Sequence, residues 1–262
     1  MPNEEGQQSY YFPVSAQIDP KDWKTNLLQS MKAPLFSGRI QLLMDLLQPL
    51  CVSDGIMQVK NGGSFFSLYR QSGKILIPGS SIKGAVRSYA TAIGGELVAE
   101  KLFGKNSQSS LVFFEDVLGD WKVVHQGLPQ QFAPSNSRGE VKLYKKHTPT
   151  VAPRSVHVFE ALDRGQTLSF DISFKGLNEE QIGFLLISLG MDPQYPFILK
   201  IGRGKSLNLG AVSFCSQSVL VHDPKTFSDT EKQLEAFIQT FKNRFPQVSS
   251  VLLSISQEGG RP

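Results

Sequence analysis

Two short stretches bring hydroxyls, cations and glycines together at spacings that suit a phosphate group. In Ile77-Pro78-Gly79-Ser80-Ser81-Ile82-Lys83-Gly84-Ala85-Val86-Arg87 an apolar run meets a Pro-Gly turn. Ser80 or Ser81 then stands where a side-chain oxygen can cap the first turn of a helix. Lys83 and Arg87 lie four residues apart, one turn along the same helical face. Unpaired N–H groups, hydroxyls and two cations at one helix start make an anion site. Gly84, between the cations, lets another backbone come close. The plainer reading is ordinary capping beside a solvated basic face. A Walker loop is excluded, because no Gly-Lys-Ser/Thr closes the motif. The second stretch is Gly202-Arg203-Gly204-Lys205-Ser206, ending at Asn208-Leu209-Gly210. Its small residues bring the main chain near a partner, its N–H groups can form a concave nest, and Arg203 and Lys205 add charge. Taken alone, it reads equally as a glycine-rich hairpin turn with two solvated cations.

Other chemistry-bearing residues are sparse. Asp54, in Ser53-Asp54-Gly55, is a carboxylate before glycine, and turn chemistry explains it more simply than catalysis. His125, His147, His157 and His222 could act as general bases, yet none has a partner at diagnostic spacing. Cys51 and Cys215 are the two cysteines; neither lies in a CxxC, so no zinc signature or disulfide framework arises, and a reducing cytoplasm fits.

The elements that must position these groups follow from periodicity. Residues 1–34 read as an N-terminal arm whose Tyr10, Tyr11, Phe12 and Trp23 pack on something, and residues 35–262 as the folded domain. A long strand is expected over 35–52, a turn at 53–55, a second strand at 56–59 and a hairpin turn at 60–63. Strands at 65–69 and 74–77 flank Gln71-Ser72-Gly73. A helix follows Pro78 to about Leu102, with Gly94-Gly95 bending or splitting it. Strands are expected at 110–118 and 121–125. Residues 126–153, with Pro129, Pro134, Pro149 and Pro153 and the cations Lys142, Lys145, Lys146 and His147, read as a long basic arm, mobile in the free protein. Residues 166–174 alternate as a strand, Asn178 caps a helix to Leu189, 197–201 and 211–221 are strands, and Ser228 begins the last helix, which Pro246 ends. The order is α+β: two ferredoxin-like halves, or one such unit with insertions. The four-stranded sheet of such units is a common RNA platform.

The 262 residues are 40% apolar and 19% charged, the composition of a soluble globular chain. A net charge of +4 permits a polyanion partner without demanding one. The 18 phenylalanines are read mainly as core. The polar, acidic start MPNEEGQQSYYF is not a signal peptide, and no apolar run approaches the ~20 residues of a membrane span, so no membrane partner is expected.

The two basic glycine stretches, in this order, resemble the helix-start motif and the C-terminal glycine-rich loop of the RAMP superfamily of CRISPR-associated proteins. Leu102-Phe103-Gly104, the strand at 111–117, Pro153-Arg154 and Glu160-Ala161-Leu162-Asp163-Arg164-Gly165-Gln166 are similar landmarks, and the resemblance covers residues 35–222. It is closest to the backbone (Cas-seven-like) subunits of type III effector complexes. The resemblance implies a ferredoxin-like, RRM-type fold with insertions that grips the sugar-phosphate backbone of a guide RNA. Ser80, Ser81, Lys83 and Arg87 would contact guide phosphates; Arg203, Lys205 and Ser206 would support the fold or touch RNA. The arm with Lys142, Lys145 and Lys146 would lie across the guide–target duplex, leaving sequence recognition to base pairing. Subunits of this kind that cut target RNA carry a loop aspartate. Alignment puts that position near Asn61 or Gly62, and Asp54 is the loop's sole carboxylate.

The expectation is therefore a non-catalytic guide-RNA-binding subunit, with guide RNA, target RNA and other effector subunits as partners and no cofactor. Three alternatives stand beside it: a 5′-end-capping (Cas-five-like) subunit, a metal-dependent endoribonuclease using Asp54, and a small phospholigand-binding protein.

Overall fold

The computed structural model describes residues 11–15, 18–19, 35–60, 63–105, 108–129, 141–147, 156–223, 228–232 and 234–262. In chain order the elements begin with β1 (Tyr11–Val14), β2 (Phe36–Leu46), β3 (Ser53–Lys60), β4 (Gly63–Leu68), β5 (Arg70–Gln71) and β6 (Lys74–Ile77). Helices α1 (Gly79–Gly94) and α2 (Glu96–Phe103) come next. Then follow β7 (Val112–Phe114), β8 (Val117–Gly119), β9 (Val123–Pro129), β10 (Val141–Tyr144), β11 (Val156–Leu162), β12 (Thr167–Leu177) and α3 (Glu179–Ser188). The chain closes with β13 (Leu199–Lys200), β14 (Ala211–Asp223), β15 (Ser228–Lys232), α4 (Leu234–Arg244) and α5 (Val248–Gly259).

The central sheet runs β14-β2-β12-β7, antiparallel throughout, with β13 and β15 both paired to β14. Within this unit the strands lie in the order fourth, first, third, second. Helices α1 and α2 fall between the first and second strands, and α3 between the third and fourth. That is one ferredoxin-like path with insertions, and an α+β fold. Strand alternation explains how it closes. Ile40, Leu42, Met44 and Leu46 on β2 lie beside Ile172, Phe170 and Leu168 on β12, and all are buried. Ile82, Val86, Tyr89, Ala90 and Ile93 of α1 and the wholly buried Ile182, Phe184, Leu185 and Leu186 of α3 complete the same core. On the opposite sheet face, Phe113, Ser173, Arg39 and Leu220 form a row across the four strands.

A second sheet, β3-β4-β11-β9, sits beside this unit. Its Phe159 and Ala161 join Cys51 and Leu209 in a small separate core, against which Phe66, Val124 and Leu207 pack. β1 pairs with β10, and Phe12, Val14 and Leu143 face the main core.

Several boundaries differ from expectation for identifiable reasons. The first strand stops at Leu46, because the Leu47 and Gln48 N–H groups both turn to the Ala211 carbonyl (2.9 and 3.2 Å) ahead of Pro49. Residues 53–55 open β3 as a bulge rather than a turn: pairing with β4 slips between Ser53 and Met57, and Gly55 takes φ +84°. The helix after Pro78 does split, at Gly95 (φ +87°), whose N–H ends α1 on the Thr91 carbonyl at 2.9 Å. The 110–118 strand breaks at Glu115-Asp116 into β7 and β8. Ser228 begins a strand on the β14 edge, not a helix, and a further helix, α5, follows Pro246. Asn178 caps α3 as expected, with a full capping box to Gln181.

Candidate nucleic-acid interface

The glycine loop is built by its own main chain. Ile201 N–H donates to the Gly210 carbonyl (2.8 Å) and Gly210 N–H to the Pro49 carbonyl (2.9 Å), closing the loop at its base. Gly202 holds φ +79° and a Cβ there would stand 2.2 Å from the Cys51 carbonyl oxygen, so no other residue fits. Arg203 N–H donates to that same carbonyl at 2.8 Å, and Leu207 and Leu209 both donate to the Gly204 carbonyl (2.8 and 3.2 Å). The Arg203, Leu207 and Leu209 N–H groups are thus engaged inside the protein. The loop also presents charged side chains.

Arg203 is exposed, with Nε donating to Ser53 Oγ at 3.0 Å. Its guanidinium lies 5.4 Å from the centre of the Phe66 ring and 5.8 Å from Phe159, two rings stacked 4.6 Å apart. The second sheet thus positions the arginine. Glu160 stiffens that sheet: it accepts from Leu68 N–H at 3.0 Å and from Arg70 at 2.6 Å. Burial works to raise its pKa, but these two partners outweigh it and hold the carboxylate below its ordinary range. Beneath the loop, burial pushes the Cys51 thiol up to about 12, so it is an inert packing residue.

Lys205 leans the other way, its Nζ 5.2 Å from the centre of the Tyr144 ring on β10, and burial lowers its pKa. Ser206 is half-buried on the same loop. The loop and the arm strand therefore meet, which their separation in sequence did not foretell.

Of the arm expected at 126–153, residues 126–129 and 141–147 are described, and they include the end of β9 and all of β10. The arm's first residues extend β9, paired in register with β11. Residues 141–147 are docked: Leu143 is buried and pairs with Phe12, and Tyr144 pairs with Tyr11. Lys145 bridges Glu258 at 3.7 Å and Lys146 Nζ donates to the Arg261 carbonyl at 2.5 Å. Lys142 and Tyr144 stand on the side of β10 opposite Leu143, both half-buried. Residues 130–140 and 148–155 lie outside the described residues.

The helix start also differs in detail. Pro78, not a serine, occupies the capping position, with no side-chain cap. Ser81 N–H donates to the Pro78 carbonyl at 2.9 Å, and Gly79 N–H donates to Asp116 Oδ1 at 2.7 Å. The chain's own carboxylate thus takes the place of an expected cap. Ser80 is exposed and Ser81 half-buried. Burial, then the neighbouring Arg87, lowers the Lys83 pKa. Arg87 is held inward, Nη1 donating to the Gly104 carbonyl at 3.0 Å and Nη2 pairing with Glu96 at 2.9 Å. Gly84 faces open space: a Cβ added there would meet no atom within 4 Å.

Asp54 is exposed and its Oδ1 accepts from Ile56 N–H at 2.9 Å, a local turn of the bulge. His157 is hydrogen-bonded through Nδ1 to Ser64 Oγ on the neighbouring strand, and the His125 ring lies 5.7 Å from the Phe65 ring. Among the described residues no three His, Cys, Asp or Glu side chains gather as metal ligands, and no helix is long and apolar enough to cross a membrane.

Reading the sequence missed Phe66, Phe159 and Tyr144, which carry the loop cations, as well as Asp116. It also missed Lys200, whose signal was a lone cation within Phe197-Ile198-Leu199-Lys200-Ile201.

A family model described as the RAMP superfamily matches residues 46–213, a span that takes in both glycine motifs. No curated protein sequence matches the chain. One similar solved structure is described as a cryo-EM structure of the type III-B Cmr-beta bound to cognate target RNA. It has 20% sequence identity and a TM-score of 0.46, over 77% of this chain and 66% of that one.

Proposed function

The chain belongs to the RAMP superfamily, and from that premise we propose that it is a guide-RNA-binding structural subunit of a type III CRISPR ribonucleoprotein effector. It grips the sugar-phosphate backbone while base pairing reads the target RNA, alongside other effector subunits. The observation that carries this reading is the meeting of the glycine loop with the arm strand. Arg203 on the Phe66–Phe159 stack and Lys205 on Tyr144 are cations held on aromatic rings of two neighbouring elements. Such cations suit a polyanion, and aromatic neighbours suit its bases. An RRM-type fold is part of the proposal at the level of topology. On this reading RNA contact falls on the loop, the arm and the helix start: on the open sheet face the central strands β2 and β12 offer Arg39, Gln41, Leu43, Ser169, Asp171 and Ser173 and no aromatic, and the exposed Phe113 stands on the edge strand β7.

Ser80, Ser81 and Lys83 contribute phosphate contacts at the helix start, sharing it with Asp116. Asp54 is read as a bulge residue rather than a nuclease carboxylate. A 5′-end-capping role rests on the same surface and is the second member of the proposal.

The experiment is purification of the protein from its own cells under low salt, followed by sequencing of the nucleic acid that comes with it. Small RNAs with a uniform 5′ segment support the proposal. A nucleotide, or nothing, in repeated preparations contradicts it and favours a phospholigand-binding protein.

A further inference from the structure

Lys200, on β13, is only 2% exposed. Its Nζ donates to Gln48 Oε1 at 2.5 Å, the Lys146 carbonyl at 3.1 Å and the Leu209 carbonyl at 3.3 Å. Gln48 Nε2 donates to the same Lys146 carbonyl at 2.8 Å. The acceptors come from three parts of the chain: the link after β2, the end of the arm strand, and the close of the glycine loop. Three acceptors match the three N–H groups of an ammonium. The titratable groups that face it are Lys146, after β10, and the Tyr89 hydroxyl of α1, which is hydrogen-bonded to the Lys200 backbone. Burial first, and Lys146 second, bring the amine down to about 7. A cation buried against neutral oxygens is costly, and a leucine would fill a β-strand core position with less penalty.

We propose that Lys200 is a positioning residue that pins the arm strand to the glycine loop. Lys142 and Lys145 on one side and Arg203 and Lys205 on the other then meet a polyanion as one preformed surface. The pin touches no ligand itself. Its purpose rests on the RNA-binding reading above, but its existence does not.

The test is Lys200→Met, close to lysine in length and without the amine. Amide hydrogen exchange is followed without RNA. Exchange should rise together at 141–147 and 202–210, by about tenfold or more for a lost hydrogen-bonded hub, while α3 stays unchanged. Exchange rising in one segment alone, or in neither, overturns the proposal. Should Lys200→Met not fold, Gln48→Met removes one acceptor and the Gln48–Lys146 bond, and the same joint rise is expected. A readout specific to the amine comes from carbon-13 NMR of labelled lysine. One Cε resonance should titrate near 7 and be missing in Lys200→Met; if all lysines titrate near their ordinary value, the pin is not buried as described. RNA affinity of Lys200→Met should fall about tenfold with an unchanged salt slope, because no phosphate contact is removed. A shrunken slope would make Lys200 a direct contact and overturn the positioning role. If the wild type binds no RNA, the exchange and NMR results still decide the pin, and the functional proposal fails separately.

Discussion

Lys83 and Arg87 share one face of α1 but not one role. Among the described residues Lys83 makes no hydrogen bond or ion pair and feels the repulsion of Arg87, whereas Arg87 ties α1 to Glu96 and to the Gly104 carbonyl. Lys83→Ala should therefore leave thermal stability unchanged and lower the RNA salt slope by about 0.7, the value for one single-strand phosphate. Arg87→Ala should cost about 1 kcal/mol, near 2–4 °C in Tm, from one lost carbonyl bond and a half-exposed ion pair. A differential scan and a salt titration on both variants separate the two roles. Asp54→Ala makes a third prediction. Its carboxylate serves the Ile56 N–H in an exposed bulge, so the product ladder from a 5′-labelled target in the assembled complex should not change. The disappearance of one rung, with assembly intact, would make Asp54 catalytic.

At the scale of elements, the glycine loop and the capped helix were legible because their signals are local. Asn178 with Gln181 three residues on is a capping box in sequence and in structure. The Ser72-Gly73 turn, with φ of +51° and +82°, sits where the strands at 70–71 and 74–77 required it. The serines before α1 misled because capping chemistry is also supplied from afar: Asp116 lies 37 residues from the N–H it accepts. The strand β10 within the arm was hidden for the same reason. β10 finds its partner in β1, far back at the start of the chain, and proline content outweighed the alternation of Val141 and Leu143 with Lys142 and Tyr144. The helix after Pro246 was legible but passed over: Val248, Val251, Leu252 and Ile255 recur at helical spacing and are its buried face. The segment at 228–232 was read as the start of a helix because a serine stands ahead of an apolar periodic run. Gly202→Ala tests the loop as an element. Its Cβ would press the Cys51 carbonyl and its φ is positive, so the variant should lose about 2–4 kcal/mol of stability in a denaturant titration, well above the ~1 kcal/mol expected for Asn178→Ala.

At the scale of the whole molecule, the ferredoxin-like path and the α+β class were readable from the order of periodic segments, but the second sheet was not. The parallel pairing of β4 with β11 joins Phe65 to Val158 and Phe66 to Phe159, far apart in the chain, and only the folded chain shows that Phe66 and Phe159 form the seat of Arg203. The buried Lys200 gives the molecule a predictable pH response. Its pKa falls from 10.5 to about 7 on folding, so between these values the unfolded chain binds more protons and stability rises with pH. The cost of burying the charge is complete below pH 7 and gone above 10.5. Denaturant titrations at about pH 6.5 and 9.5 should show the wild type gaining a few kcal/mol relative to Lys200→Met, at up to about 1.4 kcal/mol per pH unit. Parallel pH dependence of the two proteins would place the amine in water.

On the proposed reading, loop and arm form one cationic surface for an RNA backbone. The most direct measurement of this is the salt dependence of single-stranded RNA binding by the wild type and by the Lys142→Ala, Arg203→Ala, Lys205→Ala triple variant. Binding by the wild type should be independent of sequence, with a log–log salt slope that shrinks by about 2 in the variant, near 0.7 for each phosphate no longer neutralised. An equal slope in both proteins, with both folded, would contradict it.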